Sequence, residues 1–235
     1  IEIENFEKAW KFIAYLAPYW TIRGGFSETA HWIADAHISD RSFWTSEKIS
    51  PQTRGRTLTW AGYCTLFLFD FDNGFPMLNE AQRILSDTTD EVSLAYAYCF
   101  DGCYGSFLAF PDSAQKMDLG LRLAEKTKDR VCLCMFYLWS YEYYRQQGRM
   151  DIVETNLALG KKIGVEDGNT YILGALYILR FSLACMDEHN DYEKTAGDAI
   201  EMYNMLPEKG YKGLKSAAMM GLAYARMMQG RIEEA

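Results

Sequence analysis

The chain has 235 residues, 49% of them hydrophobic and 15% aromatic, and a formal net charge of −8. That composition excludes a disordered polymer and is ample for a buried core. Its acidic balance, without any long Lys/Arg cluster, repels a phosphate backbone and argues against direct nucleic-acid binding.

Strand-type alternation is nowhere sustained, and helical spacing runs through the whole sequence. Apolar runs predict first helices near 3–22, 52–71, 90–109, 129–147, 169–187 and 211–229. Residues 57–71, 92–110, 131–144 and 171–186 are apolar nearly all round, so neighbours must cover them on most sides. Between them lie amphipathic segments near 26–38, 74–87, 111–127, 149–164, 191–206 and from 231 onward. In one of these, Ala114, Met117, Leu121 and Ala124 share a face, while Gln115, Lys116, Asp118 and Arg122 point away. Local chemistry supports the boundaries. Thr89-Asp90 and Asn169 suit N-caps, Pro111-Asp112 a first turn, and Pro207 with Gly210 a stop. Residues 39–50 lengthen one step and predict a long loop.

Turns recur at a fixed interval. Gly25 to Gly148 is 123 residues and Gly148 to Gly230 is 82, three and two steps of 41. A helical sequence with that period predicts an all-α, right-handed superhelix (an α-solenoid) of about six antiparallel hairpins. With few prolines and no linker-like tract, residues 1–235 read as one repeat domain, and a chain opening on Ile1 reads as a piece of a longer protein.

The longest apolar stretches, Val131–Trp139 and Tyr171–Leu179, fall short of the roughly 18–20 residues that span a bilayer, so no membrane contact is expected. No signal-peptide pattern is present. Six cysteines (Cys64, Cys99, Cys103, Cys132, Cys134 and Cys185) sit in apolar runs without metal-ligand spacing. They read as buried thiols of a reducing cytoplasm, with no metal and no cofactor expected.

Isolated charges within the apolar helices are the best candidates for a binding surface. Asp101, Glu142 and Arg180 each interrupt such a helix, and Asp70 with Asp72 ends another. A buried charge must be paired or face an open groove. Arg180 bridging to Glu142 or Asp101 would lock register with no ligand involved. If the first helices line a concave face, Tyr63, Asp70, Asp101, Tyr104, Glu142, Arg145, Arg180 and Tyr224 are the residues expected to face a partner. No local arrangement predicts a catalytic residue. Asp101 with Glu142 could be posed as the carboxylate pair of an all-helical glycosidase, a weaker reading than binding.

The segment Leu222-Ala223-Tyr224 with Gly230-Arg231-Ile232-Glu233-Glu234-Ala235 resembles the tetratricopeptide signature, and Gln147-Gly148-Arg149 and Asn190-Asp191-Tyr192 are weaker copies. A step near 41 exceeds the usual length of about 34, implying degenerate repeats with longer helices. The opening Trp10, Leu16, Tyr19-Trp20, Arg23-Gly24, Glu28 and Trp32 resembles the hairpin that begins the tetratricopeptide-like region of STAND-type signalling ATPases, relatives of the maltose-regulon activator among them. That resemblance implies a sensor or interaction domain of a signal-transduction ATPase or transcriptional regulator. Its partner would be a protein or a small effector, and an ATPase core would lie upstream in the same chain. The sequence itself carries no G-x-x-x-x-G-K-[ST] motif and no helix-turn-helix. A plain protein–protein scaffold is the alternative.

Overall fold

The computed structural model describes residues 6–22, 26–184, 191–206 and 212–234. Among these the protein is all-helical. Eleven α-helices run in order: α1 (Phe6–Ile22), α2 (Phe26–Asp35), α3 (Pro51–Phe67), α4 (Phe71–Leu85), α5 (Glu91–Phe107), α6 (Ser113–Thr127), α7 (Arg130–Gln146), α8 (Met150–Glu166), α9 (Thr170–Ala184), α10 (Tyr192–Met205) and α11 (Lys212–Met228). No helix among the described residues is long and apolar enough to cross a membrane. The chain divides into two compact units, Ile1–Met150 and Asp151–Ala235.

In the first unit each first helix packs on the next, α1 on α3, α3 on α5 and α5 on α7. Each second helix packs on the helix before it and the helix after it, as α4 does on α3 and α5. This explains the all-round apolar sequences: α3 and α5 have neighbours on several sides, and Leu58, Tyr63, Leu66, Cys99 and Phe100 are fully buried. Glycines allow the closest approach. A Cβ on Gly62 would lie 2.9 Å from Leu78 Cγ and 3.1 Å from the Gly74 carbonyl oxygen, so α3 and α4 are nearly in backbone contact there. In the second unit α9, α10 and α11 pack on one another around Tyr177, Phe181, Ala199, Met202, Leu206 and Ala218.

The helix starts are evenly spaced. Ser50, Asp90, Asp129 and Asn169 accept the backbone N–H groups of Thr53, Ser93, Cys132 and Ile172, an N-cap at intervals of 40, 39 and 40 residues. The caps expected at Asp90 and Asn169 are therefore present. Asp112 makes no side-chain cap, and α6 starts one residue later, at Ser113. The predicted stop at Pro207–Gly210 lies outside the described residues, as do Gly25 and Cys185.

The helix ends explain the irregular glycine count. After α3, α5, α7 and α11 the chain turns through a left-handed residue: Phe69 (φ 64), Ala109 (φ 56), Gly148 (φ 70) and Gly230 (φ 75). In each turn the next residue's N–H reaches back to a carbonyl five residues earlier, as Asp70 does to Thr65, Phe110 to Gly105, Arg149 to Tyr144 and Arg231 to Arg226. Two of the four turns carry a side chain where glycine is the comfortable residue, so a search for glycine misses them. Ala109 is exposed, and a left-handed L-residue costs about 1–2 kcal/mol. Ala109→Gly is therefore expected to raise stability by up to about 1 kcal/mol after glycine's entropic cost, read as a higher urea midpoint.

The predicted long loop at 39–50 is held in place. Asp40 accepts from Ser42 N–H and caps a short 3-10 turn, Arg41–Phe43. The indole N–H of buried Trp44 donates to the Ile38 carbonyl at 2.6 Å. Glu7 accepts from Ser50 N–H, Ser50 Oγ and Thr53 Oγ1, fastening the loop's end to α1.

Candidate functional site

Helical spacing places Trp60 and Tyr63 on one side of α3, Tyr96, Phe100 and Tyr104 on one side of α5, and Trp139 on α7. Their rings form a continuous aromatic column. Tyr63 stacks on Phe100 with centroids 4.1 Å apart, Trp60 lies 5.4 Å from Phe100, and Trp139 lies 6.1 Å from Tyr63 and 6.2 Å from Tyr104. The α3 end is sealed. The α7 end opens through half-buried Tyr104 and Trp139 toward Phe107, whose ring is 6.5 Å from Tyr141. Such a strip offers flat apolar faces beside phenol hydroxyls, suited to stacking against an aromatic or aliphatic side chain or a planar ligand.

Two of the expected residues, Tyr63 and Tyr104, meet here, with different consequences. Tyr63 is completely buried and belongs to the core, while Tyr104 reaches the surface. The pattern reading passed over Trp60, Phe100, Phe107 and Trp139. The available signal was tryptophan or tyrosine at three- and four-residue spacing within each of three consecutive apolar helices.

Asp101 faces the opposite way. It is 1% exposed, and its carboxylate pairs with Lys116 of α6 at 2.9 Å and accepts from Gln82 Nε2 of α4 at 2.7 Å. Burial pushes the Asp101 carboxyl above its ordinary range, against the opposing pull of Lys116 and Gln82. Burial also works against the charge on Lys116, but hydrogen bonds to Asp112 and Asp101 outweigh it and hold the ammonium above its usual value. This group ties α4, α5 and α6 together and does not face a groove.

Asp70 differs from the expectation only in its place in the chain. It does not end the apolar helix: α3 stops at Phe67, and Asp70 sits in the following turn, accepting from Asn73 N–H as the N-cap of α4. Arg145 lies half-buried in the last turn of α7. Tyr224, in the second unit, makes an edge contact with Tyr192 at 6.1 Å. Glu142 and Arg180 stand on α7 and α9, and their side chains lie outside the described residues.

Clefts are present within each unit. Between α1 and α2, a cleft of about 440 Å³ is lined by Phe12, Ile13, Trp32, Asp35 and His37. Its Phe12 and Trp32 rings meet edge-on at 5.7 Å, and Asp35 lies 3.4 Å from His31. Aromatic walls beside one carboxylate suit an organic cation. Between α8 and α9, a cleft of about 150 Å³ holds Lys161, which donates to Tyr177 Oη at 3.1 Å.

No family model matches the sequence, and no curated protein matches it.

Proposed function

We propose that the protein is a tetratricopeptide-like helical-repeat domain, a right-handed superhelix that binds a protein partner or small effector through the layer of first helices. In this reading it is the cytoplasmic sensor of a signal-transduction ATPase or transcriptional regulator. Occupancy of its inner face would bias the contact with an upstream ATPase core, which requires different affinities in two states.

The observation that carries the reading is the alternating packing in residues 6–150, where α1, α3, α5 and α7 touch in succession and α2, α4 and α6 back them. N-caps at steps of 39 and 40 residues support it. The Tyr104–Trp139 strip is the natural contact surface of that layer. Its openness favours a protein segment over an enclosed small molecule, which is also what a plain scaffold would present.

A photo-crosslinking residue at Tyr104, in the full-length protein in its own host, should trap a specific product. The same residue at Gln115, on the exposed side of α6, should not. Equal yields at both positions, or none at Tyr104, would reject the inner-layer reading. The upstream coding sequence separates the two forms of the proposal. A phosphate-binding G-x-x-x-x-G-K-[ST] motif there supports the sensor, and its absence leaves the scaffold.

A further inference from the structure

The ends of the α3–α4 and α5–α6 hairpins carry an apolar surface that folding does not explain. Phe67, Leu68, Phe69, Phe107, Leu108 and Phe110 are all about two-fifths exposed or more, and Phe69 reaches 79%. Rings connect the two turns: Phe69 to Phe71 and Phe71 to Phe75 at 6.2 Å each, then Phe75 to Phe110 at 5.0 Å. The surface is therefore one patch across both hairpins.

Phe69 is the most telling member. Its φ of 64 is left-handed, which disfavours any side chain, and its ring buries little in return. The corresponding position in the α7 turn is Gly148, at φ 70. Backbone geometry at this site asks for glycine, and phenylalanine there adds only an exposed aromatic ring.

At the α3–α4 turn the exposed charges beside the patch are acidic. Asp70 and Asp72 are exposed beside it, and neither has a basic partner among the described residues. Asp112 flanks the second turn and shares Lys116 with Asp101. The basic residues nearest in sequence are already engaged, Arg56 by Asp90, Arg83 by Glu80 and Lys116 by Asp101 and Asp112. An anionic bilayer would be repelled by this rim.

We infer that this aromatic apex is a docking site for a protein segment that presents apolar anchors flanked by lysine or arginine. Apart from Phe107, which also borders the Tyr104–Trp139 strip, it uses the hairpin ends and not the inner layer, so it stands whether or not the helical-repeat reading does. The rim supplies orientation and association rate, and the phenylalanines supply the desolvated contact.

The test uses the full chain and two fluorescent peptides of about 15 residues, with Leu and Phe at helical spacing. One carries Lys at the intervening positions and the other Glu. The Lys peptide should bind about tenfold tighter or better, weakening as salt rises. Phe69→Gly should weaken it by about tenfold while raising the melting temperature, so lost binding is not confused with lost folding. Asp72→Lys should cut the preference for the Lys peptide without changing the circular dichroism spectrum. Equal binding of both peptides, unchanged affinity in Phe69→Gly, or preferential binding to phosphatidylserine vesicles would each overturn the assignment.

Discussion

Asp101→Ala is expected to lower the unfolding free energy by about 3–5 kcal/mol, the usual cost of breaking a buried ion pair from one side. The carboxylate it removes is 1% exposed and satisfies both Lys116 Nζ and Gln82 Nε2. Lys116 retains Asp112 at 2.9 Å, but Gln82, itself buried, loses its best acceptor. Urea unfolding should show a lower midpoint with an unchanged slope. A loss below about 1 kcal/mol would mean that the pair is solvated and of the weak surface kind.

The pH dependence separates the pair from a simple cavity. Asp101 has a folded pKa raised by burial, so the native carboxyl holds its proton to higher pH than the unfolded one. The native state then binds more protons across that window. Stability contributed here falls as pH rises from the unfolded value, about 4, through the raised folded value. Lys116 is raised as well, so its contribution is complete below the unfolded lysine value and disappears as pH climbs through the folded one. Lys116→Met should steepen the acid-side slope, because Asp101 keeps its burial and loses its main counterion. That variant should be distinctly less stable at pH 8 than at pH 5, and Asp101→Ala should abolish the slope. Parallel pH profiles for the two variants would mean that Asp101 binds its proton equally in the folded and unfolded states, and would reject a carboxyl raised by burial.

Both what was readable in the sequence and what was not follow from local chemistry. Helix existence and order were readable because apolar spacing persists over whole segments, and because caps such as Asp90 and Asn169 are local devices. Turn position was less so. Phe69 and Ala109 occupy left-handed positions that glycine fills in the α7 and α11 turns, so glycine marks only some of these turns. Asp70 was misplaced because an aspartate at the end of an apolar run looks like an interrupting charge, whereas its side chain begins the next helix. The sequence shows Asp101 as a charge that must be paired or face a groove, and the structure pairs it. Which partner could not be known, because Lys116 and Gln82 come from helices on either side of it in sequence, brought together only by packing. Sequence separation hides such pairs, and the same holds for the column joining Trp60, Phe100 and Trp139.

Phe100→Ala should cost as much as losing Asp101, for an unrelated reason. These neighbours on α5 point to different sides, Asp101 toward α4 and α6, Phe100 toward the aromatic column. Phe100 has no exposed surface and touches Tyr63, Trp60 and Tyr96 with centroids at 4.1, 5.4 and 5.7 Å. Truncation removes about 3–5 kcal/mol by lost transfer energy and an unfilled cavity, because rigid rings close over a void poorly. The void would be apolar and ring-shaped, so a small aromatic solute such as benzene should restore part of the melting temperature in the variant and do nothing for the parent. Phe107→Ala, one residue type and seven positions further along the same helix, is the control. It is 43% exposed, so its loss should stay near or below about 1 kcal/mol. If the two alanine variants lose equal stability, or benzene fails to rescue Phe100→Ala, then the aromatic column is not the packed centre of α3, α5 and α7. Combining Phe100→Ala with Asp101→Ala tests whether α5 is held independently on its two sides. Additive losses are expected if the column and the ion pair share no partner, and a coupling beyond about 0.5 kcal/mol would mean that one side repositions the other.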